Sequence, residues 1–125
     1  SGSGDRVCLI GVGKMLAPAL EAAEMLTDEG IDATVWDPRI VAPLDPEMLA
    51  DAATHDAVVT IEDGFRQGGA GTGIETALRD MEAPCRIDVM GVPVTYIPHA
   101  KPDKILRELG LDAPGIVAAV QRLLS

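Results

Sequence analysis

Four short apolar runs divide the chain: Val7-Cys8-Leu9-Ile10, Ala33-Thr34-Val35-Trp36, Ala57-Val58-Val59-Thr60-Ile61 and Ile87-Asp88-Val89-Met90. They are rich in β-branched residues and mostly lack polar alternation, the pattern of strands covered on both faces. Between them, apolar positions repeat at helical spacing. Leu16, Leu20, Ala23 and Leu26 fall on one face of the first predicted helix, and Ile74, Ala77, Leu78 and Met81 recur at i, i+3, i+4 and i+7 in the third.

The boundaries carry residues with a mechanical reason to be there. Gly30 follows the first helix, where a left-handed residue costs least as glycine. Asp45-Pro46-Glu47 offers an N-cap side chain followed by a proline whose missing N–H is no loss at N1. Thr72-Gly73-Ile74-Glu75 has capping-box spacing, and Asp112 precedes a last helix striped by Ile116, Ala119, Val120 and Leu123. Gly110 is expected to end a short helix before it. The order is β-α-β-α-β-α-β, then a Pro-rich loop from Gly91 to Pro102, then two helices. Alternation of this kind predicts a three-layer α/β/α domain with a mainly parallel sheet and right-handed crossovers.

Composition supports a single domain. A chain of 125 residues can build one core, and neither half of it would suffice alone. With one Phe, one Tyr and one Trp, that core must be aliphatic. Lys and Arg number 10 against 20 Asp and Glu, a net charge of −10, so neither nucleic acid nor an anionic membrane is an expected partner. No apolar run approaches the roughly 20 residues that span a bilayer. Ser1-Gly2-Ser3-Gly4 reads as a vector-derived remnant ahead of a domain at 5–125, and a soluble, cytoplasmic protein is expected. Cys8 and Cys85 lack metal-site spacing and read as small buried hydrophobes.

Candidate chemistry gathers in two glycine segments. Gly11-Val12-Gly13-Lys14 follows the first strand and opens the first helix, where N–H groups could meet an anion. It lacks the third glycine of a dinucleotide fingerprint and the G-K-[ST] of a P-loop, so a tight strand-to-helix turn is the simpler reading. The second, Gly64-Phe65-Arg66-Gln67-Gly68-Gly69-Ala70-Gly71-Thr72-Gly73, follows Glu62 and Asp63 at the end of the third strand. Those adjacent carboxylates would point to opposite sides, and no third oxygen ligand stands at a known spacing, so a loop-folding or interface role is favoured over catalysis or metal binding. His99 lies in a proline-ordered apolar loop, a possible interface position. His55 ends a helix in polar surroundings, where a satisfied or solvated ring is expected. Without a Gly-x-Ser-x-Gly elbow, a self-contained hydrolase is not expected.

Taken in order, Ile10 to Met15, Ala19 to Glu24, Asp37 to Asp45 and Val59 to Gly64 with Gly68-Gly69 resemble the C-terminal domain of transketolase-like thiamine diphosphate enzymes. Within that superfamily Glu62-Asp63-Gly64, Gly68-Gly69-Ala70-Gly71, Gly91-Val92-Pro93, Ile97-Pro98-His99 and the stretch Ile105 to Ile116 look most like the 1-deoxy-D-xylulose-5-phosphate synthase branch. The β subunits of 2-oxoacid dehydrogenases share mainly the first half. Val94-Thr95-Tyr96 departs from the acidic residue usual after Gly-x-Pro in the synthases. The resemblance implies thiamine diphosphate and Mg²⁺ held by two preceding domains, and no catalytic, cofactor or metal ligand on this chain. It also implies a third domain that supports the dimer and its neighbour domain, a sheet order of 2-1-3-4, and a first antiparallel strand that the present sequence lacks. The alternatives are a small-anion or effector-binding module at Gly11, Gly13, Lys14, Glu62, Asp63, Gly64, Arg66, Gly68 and Gly69, the equivalent domain of a transketolase or 2-oxoacid dehydrogenase β subunit, and a standalone enzyme.

Overall fold

The computed structural model describes residues 6–37, 45–65, 70–92 and 110–125. Within them β1 (Arg6–Gly11), β2 (Asp32–Trp36), β3 (Ala57–Phe65) and β4 (Arg86–Val92) form one sheet in the order β2-β1-β3-β4, with every pair parallel. Four helices accompany it: α1 (Leu16–Asp28), entered through a 3₁₀ turn at Gly13–Met15, α2 (Pro46–Ala53), α3 (Ala70–Asp80) and α4 (Ala113–Leu124). The short helix expected before Gly110 lies outside the described residues.

The chain steps from β1 to β2 in one direction and from β2 to β3 in the other. Right-handed crossovers therefore place α1 on one face and α2 on the opposite one. The two apolar layers follow this division. Val7, Leu9, Val59 and Ile61 pack with Ala19, Ala22, Leu26, Ile116 and Val120, whereas Cys8, Ile10 and Val58 pack with Met48, Ala52, Ile74 and Leu78. Val7 to Ile10 are wholly buried, as the unbroken apolar run predicts.

Local signals act where they are written. The Asp45 carboxylate accepts from Glu47 N–H ahead of Pro46, and the Asp112 carboxylate accepts from Gly115 N–H at 2.9 Å. At the end of α1, Gly30 takes φ +82, its N–H donates to Thr27 C=O and Ile31 N–H donates to Leu26 C=O, a Schellman closure. The end of α3 repeats it with Glu82 N–H to Arg79 C=O and Ala83 N–H to Leu78 C=O, but with glutamate at φ 56.

Five expectations change. The buried stripe of α1 is Ala19, Ala22 and Leu26, continued from Met15 of the entry turn; Leu16 and Ala23 are only half-buried, and Leu20 is 50% exposed. Small side chains let α1 lie close on β1, and Leu20 is turned with Ala23 toward Ala33 and Val35 of the edge strand. On α3, Ile74 and Leu78 are buried, but Met81 falls beyond the last helical residue and is 48% exposed. α3 itself begins at Ala70, so Thr72 lies within its first turn and is not the N-cap. Lastly, β3 continues through Asp63 and Gly64 to Phe65 across a register shift, and Gly91 belongs to β4, not to the loop.

Gly71 sits where α3 meets the sheet. A Cβ there would overlap Thr60 Oγ1 and come within 2.7 Å of Val89 Cγ1, whereas a Cβ at Gly73 would meet nothing. Gly71→Ala is expected to destabilise by about 1–3 kcal/mol through overpacking. Gly73→Ala should instead stabilise by up to about 1 kcal/mol through helix propensity. Urea midpoints for the pair check the contrast, and equal shifts would refute the packing account.

Glu82→Gly is expected to stabilise by roughly 1 kcal/mol, since relief of left-handed strain outweighs the added freedom of the unfolded chain. An unchanged or lower melting temperature would contradict this.

Candidate functional site

The carboxyl ends of β1 and β3 lie side by side, where the chain direction across the sheet reverses. Gly11 is in register with Ile61, and Val12 N–H donates to Ile61 C=O at 2.9 Å, which prolongs the pairing past the end of β1. Open α/β sheets leave a crevice at such a point. Gly11 is packed so closely beneath α1 that a Cβ would stand 2.8 Å from Leu16 Cα. Gly13 then turns at φ +60, and Lys14 stands exposed at the entrance to α1.

Glu62 occupies the neighbouring position on β3 and is 8% exposed. Its side chain shares the α3 face with Thr60, and its Oε1 accepts from Gly71 N–H at 3.1 Å. A carboxylate from the sheet thus meets one of the N–H groups that the first turn of α3 leaves without a helical partner, and its charge faces the positive end of the helix dipole. Glu62 gives the first turn of α3 an acceptor from within the chain. Capping-box reasoning missed this contact because its partners are nine residues apart and on different elements. The available signal was a glycine at 71, immediately before the predicted helix start and following a strand-end glutamate.

Of the residues singled out from sequence, the structure brings together Gly11, Gly13, Lys14 and Glu62. Asp63 and Gly64 lie within β3, in the stretch between Ile61 and Phe65 where the register shifts. Arg66, Gly68, Gly69 and His99 lie outside the described residues.

His55 is 3% exposed and sits under β2. Its Nδ1 is 2.7 Å from Asp51 C=O and its Nε2 3.4 Å from Thr34 Oγ1, so the ring is satisfied, not solvated. Both cysteines are buried and free. Burial, helped by the Asp51 carboxylate and by Cys85, pushes the Cys8 thiol up to about 12, so it is neutral and not a nucleophile. Burial likewise raises the Cys85 thiol. No described helix is long and apolar enough to cross a membrane.

The model of the family described as transketolase, C-terminal domain, matches residues 1–116. The chain is 42% identical over 119 residues to 1-deoxy-D-xylulose-5-phosphate synthase 2 of Kitasatospora griseola, covering 95% of this chain and 19% of that one. It is 38% identical over 117 residues to the 1-deoxy-D-xylulose-5-phosphate synthase of Thermobifida fusca, covering 94% and 18%. It therefore spans about a fifth of the length of these curated relatives. A solved structure described as a split gene transketolase, inactive beta4 tetramer, matches with a TM-score of 0.85 at 37% identity, covering 98% of this chain and 40% of that one. With the sheet order and both helical layers in agreement, the chain belongs to the transketolase C-terminal domain family.

Proposed function

We propose that this chain is the non-catalytic C-terminal domain of a 1-deoxy-D-xylulose-5-phosphate synthase, and that its work is to support the dimer and hold the neighbouring domain. The observation that carries the reading is the match to such synthases over 94–95% of this chain and only 18–19% of theirs. The whole enzyme would join pyruvate to glyceraldehyde 3-phosphate with loss of carbon dioxide. Thiamine diphosphate would supply the carbanion chemistry, with Mg²⁺, in the two preceding domains.

The residues at the switch point fit a structural duty better than a share in cofactor binding. A diphosphate-bound Mg²⁺ asks for several open oxygen ligands. Glu62, the buried carboxylate at that end, already accepts from Gly71 N–H. Lys14 stands exposed on a turn set by backbone packing. What these residues do is fix the turn from β1 into α1, and seat the start of α3 on β3, at the carboxyl edge of the sheet, against which another domain can rest.

Two measurements test this. Calorimetric titration of the chain with thiamine diphosphate and Mg²⁺ is expected to give no binding heat, and measurable affinity would overturn the non-catalytic assignment. Added in trans to a relative synthase truncated before this domain, the chain should restore dimerisation and activity. A truncated enzyme equally dimeric and active without it would refute the supporting role.

A further inference from the structure

On the α2 face of the sheet, away from the switch point, three metal-ligating side chains converge. Cys8 comes from the middle of β1, Asp51 from α2, and His55 from the turn that continues α2 toward β3. Their ligand atoms, Sγ, a carboxylate oxygen and a ring nitrogen, all lie within 4.8 Å of one another. Asp51 and His55 stand four residues apart on one continuing turn, with Thr54 N–H donating to Asp51 C=O and His55 N–H to Ala52 C=O. That spacing puts two side chains on one side of a helix.

The surroundings orient each group as the outer shell of a metal site does. Asp51 C=O can only accept, so the 2.7 Å contact places the imidazole proton on Nδ1 and leaves the Nε2 lone pair as the ring's ligand atom. Trp36 Nε1–H donates to Asp51 Oδ2 at 2.8 Å, which holds the carboxylate and leaves its other oxygen available. Thr34 is in register with Cys8 on the adjacent strand, and its Oγ1 lies 3.4 Å from His55 Nε2.

We propose that Cys8, Asp51 and His55 form a binding site for a single zinc-type divalent cation, which staples α2 to β1 beside β2. A thiolate, a neutral imidazole and a carboxylate suit zinc, which accepts sulfur, nitrogen and oxygen in tetrahedral geometry. One thiolate and one carboxylate cancel the charge of a dication, so the occupied site is neutral overall where an unbalanced charge would be costly. The thiol proton leaves to solvent as the sulfur binds. Ligand atoms around tetrahedral zinc stand roughly 3.5 Å apart given its bond lengths. Closure therefore needs a contraction of at most about 1.3 Å, within the reach of side-chain rotation. Asp51 and Trp36 are only partly buried and provide the path of entry.

Cobalt(II) is the probe, because its bond to a thiolate produces a near-ultraviolet charge-transfer band. Added to the metal-free 125-residue chain, it is expected to raise that band to a plateau at one equivalent, with the visible absorption of a tetrahedral site, and zinc should abolish both. Cys8→Ser is expected to remove the band. Asp51→Asn, which can still accept from Trp36, should weaken cobalt at least tenfold while circular dichroism stays native. Cys85→Ser should leave the titration unchanged. No charge-transfer band in the folded chain, or one that survives Cys8→Ser, would overturn the site, as would unchanged affinity in Asp51→Asn.

Discussion

The parallel pairing of β1 with β3 is the contact on which the rest of this domain depends. These two strands are central, and each is covered by helices on both faces. Neither can be solvated, so their backbone groups must satisfy one another. Their juxtaposition also makes the chain reverse its sense of progression, which sends α1 to one face and α2 and α3 to the other. A slip of one residue would exchange the two apolar sets, sending Val7 and Leu9 toward α2 and Cys8 and Ile10 toward α1. The bond from Val12 N–H to Ile61 C=O extends the pairing into the turn, and so ties the start of α1 to the register of the sheet.

Two features then decide how closely the helices approach. Beneath α1 they are Gly11 and the alanines of the buried stripe. Under α3 they are Gly71 and the Glu62 carboxylate. Both are close approaches of a helix start to a strand end, and both use a glycine where a methyl group would collide. Thr60 Oγ1 is buried without a hydrogen-bond partner beside Gly71. The polar cost of that hydroxyl is accepted at a place where the helix is held by a charged acceptor one pleat further along the strand.

Much of the fold was legible in the sequence because its signals are local. Runs such as Val7 to Ile10 lie entirely within one element, as do the caps at Asp45 and Asp112 and the glycine after α1. What failed to show was set by distant neighbours. Leucine outranks alanine in hydrophobicity, so the stripe of α1 was read through Leu20, but the closeness of β1 selects Ala19 and Ala22. The start of α3 was read from Thr72 because a local cap is the default, whereas the acceptor comes from β3. His55 looked polar from Thr54 and Asp56 beside it, and only the approach of α2 to β2 buries it. The 2-1-3-4 order came from resemblance alone, since apolar runs carry no mark of which strand lies beside which.

Trp36 is the only tryptophan in the chain, and its indole is hydrogen-bonded to Asp51 across the seam between β2 and α2. Its fluorescence is therefore a local instrument: it senses whether α2 is seated, while the layer formed by α1 and α4 on the opposite face is optically silent. Far-ultraviolet ellipticity, by contrast, sums over all the helices. Overlaying the two signals through one denaturation would reveal whether the faces of the sheet come apart together or in succession, because coincidence of independent probes is what two-state unfolding requires.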